Sequence, residues 1–404
     1  MLLDSIPVLR PGLRPVLADE PGKVVLLDDF RIGSAMQLSR AAFDIVRLID
    51  GKKNINQIRA EASKLFEGQE VPLETIQNIL VGLEQATFLD TPALRNRITQ
   101  ADRPPACLGV YDADPDKAAK QLKKLFGGSH GPGLPAESGC RVDEEGAVRA
   151  VLVPHMDYQR GGTTYGHGFK ELVERTTADI FVIVATSHYS SHRFTLSRQN
   201  FITPFGTVPA DQQYINSIVE HFGDGLFDDP FAHVPEHSIE LEVVMLQYLY
   251  QLRKPIRIVP LLVGSFFDCV ERKATPRDQD DVFRMIQALR QAEQEAGGNV
   301  VYLISGDLAH IGPKFDDPDL VSDEQLLHSR TQDEKLLHRL EVADTDGYFR
   351  VIAEEEDCRR ICGLPPTYVA LEAARARTGK ILNYHRFVHA DGFESVSFAS
   401  AAFT

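Results

Sequence analysis

Two regions of the chain differ in how apolar and polar positions alternate. Before residue 95, apolar residues recur at spacings of three and four, which is typical of amphipathic helices. The pattern predicts helices over 38–50, 56–65 and 73–86, and short extended segments over 24–30 and 87–90. Ser39, a residue type that caps helix N-termini, lies at the start of the first helix. This order predicts a small winged-helix-like domain over 1–95.

The second region, after residue 147, alternates continuous apolar runs with amphipathic helices. The runs are short and rich in β-branched residues, as expected for strands that are covered on both faces of a parallel sheet. Strands are predicted over 147–153, 180–185, 256–263 and 300–304, and helices over 168–176, 210–222, 239–252 and 278–296. We therefore predict an α/β domain over 148–404, with a mostly parallel sheet flanked by helices.

The segment between the two regions, 96–147, is rich in residues that interrupt regular structure. It contains Pro104-Pro105 and a glycine-rich run over 127–133. Such a composition is typical of a flexible connection. We therefore expect 96–147 to be a linker between two separately folded domains.

Composition and charge exclude several classes of protein. The chain has 43 Lys and Arg against 58 Asp and Glu, a net charge of −15, which disfavours binding to phosphate backbones. Its five cysteines are too few and too scattered for a disulfide scaffold. No apolar run reaches the roughly 18 residues of a membrane helix. We expect a soluble cytoplasmic protein with neither a nucleic acid nor a membrane as its partner.

Potential metal ligands follow three of the predicted strands. The first strand leads to His155, the second to His188, and the fourth to Asp307 and His310. Because the carboxyl ends of neighbouring parallel strands meet at one crevice, these side chains converge if the strands are near neighbours. Imidazole and carboxylate groups suit Fe(II), Zn or Mn, with positions left open for a substrate. The sequence therefore predicts a shared metal site.

Two further residues, His237 and Glu240, are candidates for the same cleft. His237 precedes a predicted helix, at the positive end of its dipole, where a neutral imidazole and a bound anion are favoured. It is either a hydrogen-bond donor to a substrate or a residue packed against the neighbouring loop. Glu240, one helical turn later, is a weaker candidate.

Seven sequence blocks, in order, carry a resemblance to a known family. They are VPHMDYQRGG at 153–162, ATSHYSSHRFTLS at 185–197, TPFGTVPAD at 203–211, EHSIELEVVMLQYL at 236–249, ISGDLAHIG at 304–312, ICGLPP at 361–366 and SVSFASAA at 395–402. On these blocks, residues 148–400 resemble the MEMO family, also called AmmeMemoRadiSam system protein B. The resemblance implies a fold similar to that of class III extradiol dioxygenases. It also implies metal ligands at His155 and His188, and an Asp-x-x-His pair at Asp307 and His310.

The third metal ligand is the point at which the chain departs from the family pattern. The resemblance implies that, in relatives with a cysteine ligand, the cysteine precedes the SVS block by several residues. This chain has no cysteine in that stretch and has His389 and Asp391 instead. We therefore predict His389 as the third ligand, with Asp391, His310 or Asp307 as alternatives. Cys358 and Cys362 are four residues apart and could share a helical face, but a structural role for both is the more ordinary interpretation; Cys362 is of further interest only because it lies inside the ICGLPP block.

The N-terminal region carries a second resemblance. Residues 22–92 resemble the PqqD-like family through QLSRAAFDIVRLIDGKKNINQI and the closing ILVGLEQATFLD. The resemblance implies docking of a peptide or of a radical-SAM protein, in place of the DNA binding common among winged helices. A helical domain that only packs against the larger one is the alternative.

The sequence is compatible with three functions. The first is a metal-dependent, dioxygenase-like oxidoreductase that acts on an unidentified small molecule within a radical-SAM system. Its divalent metal would be Fe(II), with zinc or copper as alternatives, and its proton-transfer residues would be His310, His237 and Asp307. The second is a non-catalytic scaffold that binds a metal or a peptide. The third is a metal-dependent hydrolase.

Overall fold

The chain divides into two compact units, residues 1–100 and 101–404. A computed structural model describes residues 4–136, 147–297 and 299–404. Cys140, one of the five cysteines, falls outside the described residues. Among the described residues, no helix is long and apolar enough to cross a membrane.

The N-terminal unit combines a small antiparallel sheet with helices. Its elements are β1 (Leu13–Leu17), β2 (Lys23–Asp28), β3 (Met36–Ser39), α1 (Arg40–Val46), α2 (Ile55–Leu65), α3 (Leu73–Gln85) and α4 (Pro92–Ile98). All three strands of the sheet precede the helices. The extended segment predicted over 87–90 is present as an isolated antiparallel bridge between Leu9 and Leu89. The predicted cap is present, since the Ser39 side chain accepts a hydrogen bond from the Ala42 amide.

Eleven strands and ten helices are described in the C-terminal unit. The strands are β4 (Asp102–Arg103), β5 (Ala150–Val153), β6 (Ile180–Thr186), β7 (Phe194–Leu196), β8 (Asn200–Thr203), β9 (Gly206–Val208), β10 (Arg257–Val263), β11 (Val300–Ser305), β12 (His310–Ile311), β13 (Gly379–Val388) and β14 (Ser395–Phe403). The helices are α5 (Pro115–Lys124), α6 (Tyr158–Gly161), α7 (Thr163–Arg175), α8 (Gln212–Phe222), α9 (His237–Tyr250), α10 (Phe267–Arg272), α11 (Asp280–Glu295), α12 (Asp323–Glu341), α13 (Thr345–Glu354) and α14 (Leu364–Ala374).

A mixed sheet forms the centre of this unit, in the order β12-β14-β5-β11-β6-β10-β7, with β13 paired to β14. The middle strands β5, β11, β6 and β10 are mutually parallel, and the strands that flank them are antiparallel. The predicted α/β class with a mostly parallel sheet is therefore confirmed. The long antiparallel pair β13–β14 is absent from the prediction.

Helices cover both faces of the sheet, which explains why its strands are apolar throughout. In β5, Ala150 and Leu152 pack into one hydrophobic cluster, while Val151 and Val153 pack into the cluster on the opposite face. Successive side chains of a strand point to opposite faces, so a strand buried on both sides has no polar face. The polar groups of these strands are consequently found at their ends.

The segment predicted to be a linker, 96–147, contains regular structure among its described residues. Here β4 pairs in parallel with β8, and α5 buries Ala118 and Leu122. Arg103 is 3% exposed and forms an ion pair with the buried Glu240. The sequence predicts a linker because Pro and Gly are frequent in this segment. That composition gives no indication of the short amphipathic helix α5 or of the buried Arg103.

Candidate metal centre

Three neighbouring parallel strands, β5, β11 and β6, end at the same edge of the sheet. His155 follows β5, His188 follows β6, and Asp307 follows β11. The ring centroids of His155 and His188 are 5.0 Å apart. The structure therefore brings these three predicted residues together, in the crevice expected from the strand order.

A buried carboxylate orients His188. Glu236 accepts hydrogen bonds from both the backbone amide of His188 (2.8 Å) and its Nδ1 (2.9 Å). Burial acts to lower the pKa of His188, but the charge of Glu236 and the hydrogen bonds with Cys362 and Glu236 together outweigh it and raise that pKa to about 10. Because Nδ1 is occupied by Glu236, Nε2 is the nitrogen left to bind a metal.

His237 lies against the other two imidazoles. It is the first residue of α9, and its ring stacks on that of His188 with a centroid distance of 4.7 Å. Glu236 caps the same helix by accepting hydrogen bonds from the amides of His237 and Ser238. Burial and the nearby His188 charge lower the pKa of His237 to about 4, which favours the neutral imidazole expected from the sequence.

Cys362 completes the site from a different part of the chain. Its Sγ lies 3.4 Å from His155 Nε2, and the thiol also interacts with His188. His155, Asp307 and Cys362 form one possible group of metal ligands, and His155, His188 and His237 form another. His155 is common to both groups.

Two glycines allow the cysteine to approach the histidines. Gly306 and Gly363 face each other so closely that a Cβ on Gly306 would lie 2.6 Å from the Gly363 Cα. Gly363 donates a backbone hydrogen bond to Asp307 O (2.9 Å), and Thr186 Oγ1 donates to Cys362 O (2.8 Å). The sequence signal that could have identified Cys362 as a site residue is its position in the ICGLPP block, beside Gly363.

Asp307 and His310, the predicted Asp-x-x-His pair, both line the same cavity. Asp307 Oδ2 is 3.6 Å from His155 Nε2, and burial raises the pKa of Asp307 to about 7. His310 Nδ1 lies within hydrogen-bond distance of two carbonyl oxygens, Leu308 O and Arg360 O, which can only accept. Nδ1 therefore carries the proton, and Nε2 of His310 is an acceptor. Burial lowers the pKa of His310 to about 4.

Three other candidates lie away from this cluster. His389 is exposed beyond the end of β13, where its ring pairs with Asp391, and neither residue lines the cavity. Glu240 does not face the cleft: it is 1% exposed and binds Arg103 and Tyr111. Cys362, and not the predicted His389, is therefore the residue that lies beside His155.

The cluster forms one wall of a cavity of about 560 Å³. Its apolar lining includes Met156, Leu241 and Phe315, while Arg160 and Arg360 contribute positive charge. A second cavity of about 320 Å³ shares His188, Arg360 and Cys362 with the first. Both cavities are large enough to admit a small molecule beside the histidines.

Sequence comparisons agree with the fold of the larger unit. Residues 103–402 match a family model described as Memo-like protein. A MEMO1 family protein of Methanopyrus kandleri is 28% identical over 291 residues, which cover 70% of this chain and 91% of the relative. A MEMO1 family protein of Aquifex aeolicus is 24% identical over 397 residues, 94% of this chain and 96% of the relative. The chain therefore belongs to the family of Memo-like proteins.

Proposed function

We propose that this chain binds one divalent metal ion through His155, His188 and Cys362 and uses it in redox chemistry on a small molecule. The observation that carries the proposal is the cluster of two strand-end imidazoles and a thiol at the wall of a 560 Å³ cavity. When bound, the metal would supply a Lewis-acidic and redox-active centre with positions open to a substrate. Fe(II) is the first candidate, followed by zinc and copper.

The choice of Cys362 over His237 rests on its contacts. Cys362 Sγ lies 3.4 Å from His155 Nε2, and its thiol also interacts with His188, so it is adjacent to both strand-end imidazoles. A thiolate is a ligand that suits zinc and copper, whereas the alternative group, His155, His188 and His237, would provide a third imidazole in its place. Burial raises the pKa of the Cys362 thiol, so a bound metal would have to displace its proton. His237 is left as a group that can donate to, or accept from, a substrate in the cavity.

His310 is proposed as the residue that accepts a proton from the substrate. Its Nδ1 proton is committed to backbone carbonyls, so its Nε2 lone pair is the ring's free acceptor. The ring packs edge-on against Phe315, which fixes its orientation in the cavity wall. These contacts suit a general base that is oriented before the substrate arrives.

Elemental analysis of untagged protein purified without oxygen tests the metal assignment. We expect about one equivalent of metal in the wild type and strong loss in His155→Ala, His188→Ala and Cys362→Ser. His389→Ala is the matched control, since its imidazole lies outside the cluster and should leave the metal content unchanged. Full metal content in both His155→Ala and His188→Ala would disprove the site.

Oxygen consumption separates the oxidoreductase from the two other functions. With catechol as the probe and Fe(II) bound, we expect oxygen uptake that His310→Gln reduces while metal content is retained. Hydrolysis of a nitrophenyl ester without oxygen uptake would favour a hydrolase. Metal binding with neither activity would favour the non-catalytic scaffold.

A second proposal concerns the N-terminal unit, which we infer docks an extended peptide segment of a partner protein. A groove of about 560 Å³ is bordered by β3, an edge strand of the three-stranded sheet, and by α1 and α3. Its lining is mostly apolar, with Glu70 as its one acidic side chain. An edge strand beside an apolar groove suits a peptide that adds as a further strand and places alternate side chains in the groove.

A bulky side chain at the wall of the groove tests this proposal, and Ala42, which also packs against the core of the unit, provides the position. Ala42 lines the groove, whereas Ala60 is exposed on α2 outside it. For peptides selected from a random displayed library against the full chain, Ala42→Trp should weaken binding at least about ten-fold, equivalent to about 1.4 kcal/mol. Ala60→Trp should leave it unchanged. Equal binding by both variants would contradict the proposal.

A further inference from the structure

A third glutamate of the α9 region, Glu242, is buried behind His155. It is fully buried, and its Oε1 lies 3.2 Å from Ser305 Oγ. Its other oxygen, Oε2, has no hydrogen-bond partner among the described residues. Nothing in the metal-binding proposal uses this carboxyl group.

The hydroxyl of Ser305 connects Glu242 to His155. Ser305 Oγ lies 2.6 Å from Ser238 O, 3.2 Å from Glu242 Oε1 and 3.3 Å from His155 Nδ1. The Ser238 carbonyl can only accept, and its distance is the shortest, so the single Ser305 proton goes there. Ser305 Oγ then has only lone pairs to offer, and both of its other neighbours must donate to it.

We propose that Glu242 is a neutral carboxylic acid that donates to Ser305, and that Ser305 thereby holds His155 with its proton on Nδ1 and a lone pair on Nε2, the nitrogen that lies 3.4 Å from Cys362 Sγ. Glu242 is a positioning residue in this arrangement, since it acts on His155 only through Ser305. The role of this Nε2 lone pair rests on the proposed metal binding, whereas the proton positions do not.

The surroundings of Glu242 fit the neutral form. An ionised carboxylate needs several donors or a cation, but the nearby hydroxyls are already engaged: Tyr158 donates to Leu241 O, and Tyr165 donates to Met156 O. Burial raises the pKa of Glu242 well above its ordinary value, and the Asp307 carboxyl acts in the same direction. An ionised Glu242 would compete with the Ser238 carbonyl for the Ser305 proton, although the Ser238 carbonyl is the nearer acceptor.

The two strand-end histidines therefore differ in the group that is hydrogen-bonded to Nδ1. The Nδ1 of His188 faces the ionised Glu236, whereas the Nδ1 of His155 faces a neutral hydroxyl. A carboxylate partner makes an imidazole a stronger metal ligand than a hydroxyl partner does. The structure therefore assigns His155 the role of the weaker electron donor of the pair.

Infrared and nitrogen NMR spectroscopy of the metal-free full chain test this inference. At neutral pH, the wild type minus Glu242→Gln difference spectrum should contain the carbonyl stretch of a protonated carboxylic acid. The ¹⁵N shifts of His155 should report the Nδ1-protonated tautomer in the wild type and in Glu242→Gln, whose amide can also donate to Ser305. Ser305→Ala, which removes the acceptor, should give a mixture of tautomers, and the buried Ser400→Ala is its matched control.

A difference spectrum that contains carboxylate bands in place of the carbonyl band would overturn the inference, as would an Nε2-protonated His155 in the wild type. Both measurements are made without metal, so they remain decisive even if the protein binds none. If metal does bind, Ser305→Ala should lower its affinity about 10- to 100-fold, and Glu242→Gln should keep it within a few-fold.

Discussion

Three glutamates within seven residues of the chain show how neighbours determine the state of a carboxyl group. Glu236 receives hydrogen bonds from His188 and from the start of α9, and these partners overcome burial and hold its pKa well below the ordinary value. Glu240 is ionised against Arg103. Glu242 faces a single hydroxyl and is neutral. Burial is nearly complete at all three positions, so the donors around each one decide its charge.

Glu240 is predicted to stabilise the fold without taking part in metal binding. Its carboxylate accepts hydrogen bonds from Arg103, from Tyr111 and from the amides of Ala106 and Cys107. Glu240→Gln leaves the buried Arg103 without its counter-charge and should lower the free energy of unfolding by about 3–5 kcal/mol. Urea denaturation measures this loss, while metal content below the transition should equal that of the wild type. Loss of metal with an unchanged free energy of unfolding would contradict this prediction and indicate that Glu240 takes part in metal binding.

The same carboxylate predicts a pH dependence of stability. Burial acts to raise the pKa of Glu240, but Arg103 and the surrounding donors bring it below its ordinary value. A lowered folded-state pKa contributes stability above the unfolded-state value, and this contribution is lost as the pH falls through the folded-state value. The free energy of unfolding should therefore fall less steeply on acidification in Glu240→Gln than in the wild type. Parallel acid profiles of the two proteins would contradict the ion-pair account.

At the scale of elements, the sequence predicts the centre of the sheet better than its edges. The β-branched runs of β5, β6, β10 and β11 identify buried parallel strands. β14 is equally buried, but its sequence SVSFASAAF is rich in serine and alanine, which have little strand preference. Its pairing with β13 depends on contacts between the two strands, which the local sequence pattern does not predict.

Some residues of the candidate site could likewise be predicted from the sequence, and others could not. Each of the strand-end residues His155, His188 and Asp307 follows a predictable strand, and the strand order brings them together. Cys362 instead lies in a turn before α14, and its approach depends on the contact between Gly306 and Gly363, far apart in sequence. Periodicity carries no information on such a contact, so the sequence indicated candidates for the third ligand without locating it.

Helix α9 is predicted to couple its N-terminal cap to the metal site. Glu236→Ala removes both the cap of α9 and the partner of His188 Nδ1. We expect a loss of at least about 1 kcal/mol in the free energy of unfolding, as for other helix caps, together with about 10- to 100-fold weaker metal binding. Denaturation and metal titration measure the two effects.

The matched control for this prediction is Ser322→Ala. Ser322 caps α12 and forms a capping box with Gln325, outside the cavity. This variant should lose about 1 kcal/mol of stability and no metal affinity. Equal metal binding by Glu236→Ala and the wild type would show that Glu236 serves the helix alone.

At the scale of the whole molecule, the two units have separate cores. The N-terminal core contains Ile55, Ile76, Leu83 and Phe88 from the helices and the segment that follows them. The relative from Aquifex aeolicus matches 94% of this chain, so that match extends over most of the N-terminal unit as well. The Memo-like model matches only residues 103–402. The residues of the proposed metal site all lie within this matched range.

A fragment of residues 101–404 is therefore predicted to bind metal like the full chain. Every proposed ligand and positioning residue belongs to this unit, and Arg103 with its ion pair to Glu240 is retained. Elemental analysis should give the same stoichiometry in both proteins. A fragment starting at residue 148, the boundary expected from the sequence, loses Arg103 and α5 and should be about 3–5 kcal/mol less stable. Equal stability of the two fragments would show that 101–147 does not stabilise the fold.

The last prediction is that a fragment of residues 1–100 folds alone and does not bind DNA. Its basic residues are largely paired with acids, since Lys53 contacts both Asp50 and Glu61, and Arg59 contacts Glu70. Binding to DNA gains most of its affinity from unpaired cations that release counterions from phosphates, and this arrangement provides few of them. The fragment should unfold cooperatively in urea and show no salt-dependent affinity for duplex DNA at physiological ionic strength. Tight, salt-sensitive DNA binding would instead assign this unit to transcriptional regulation.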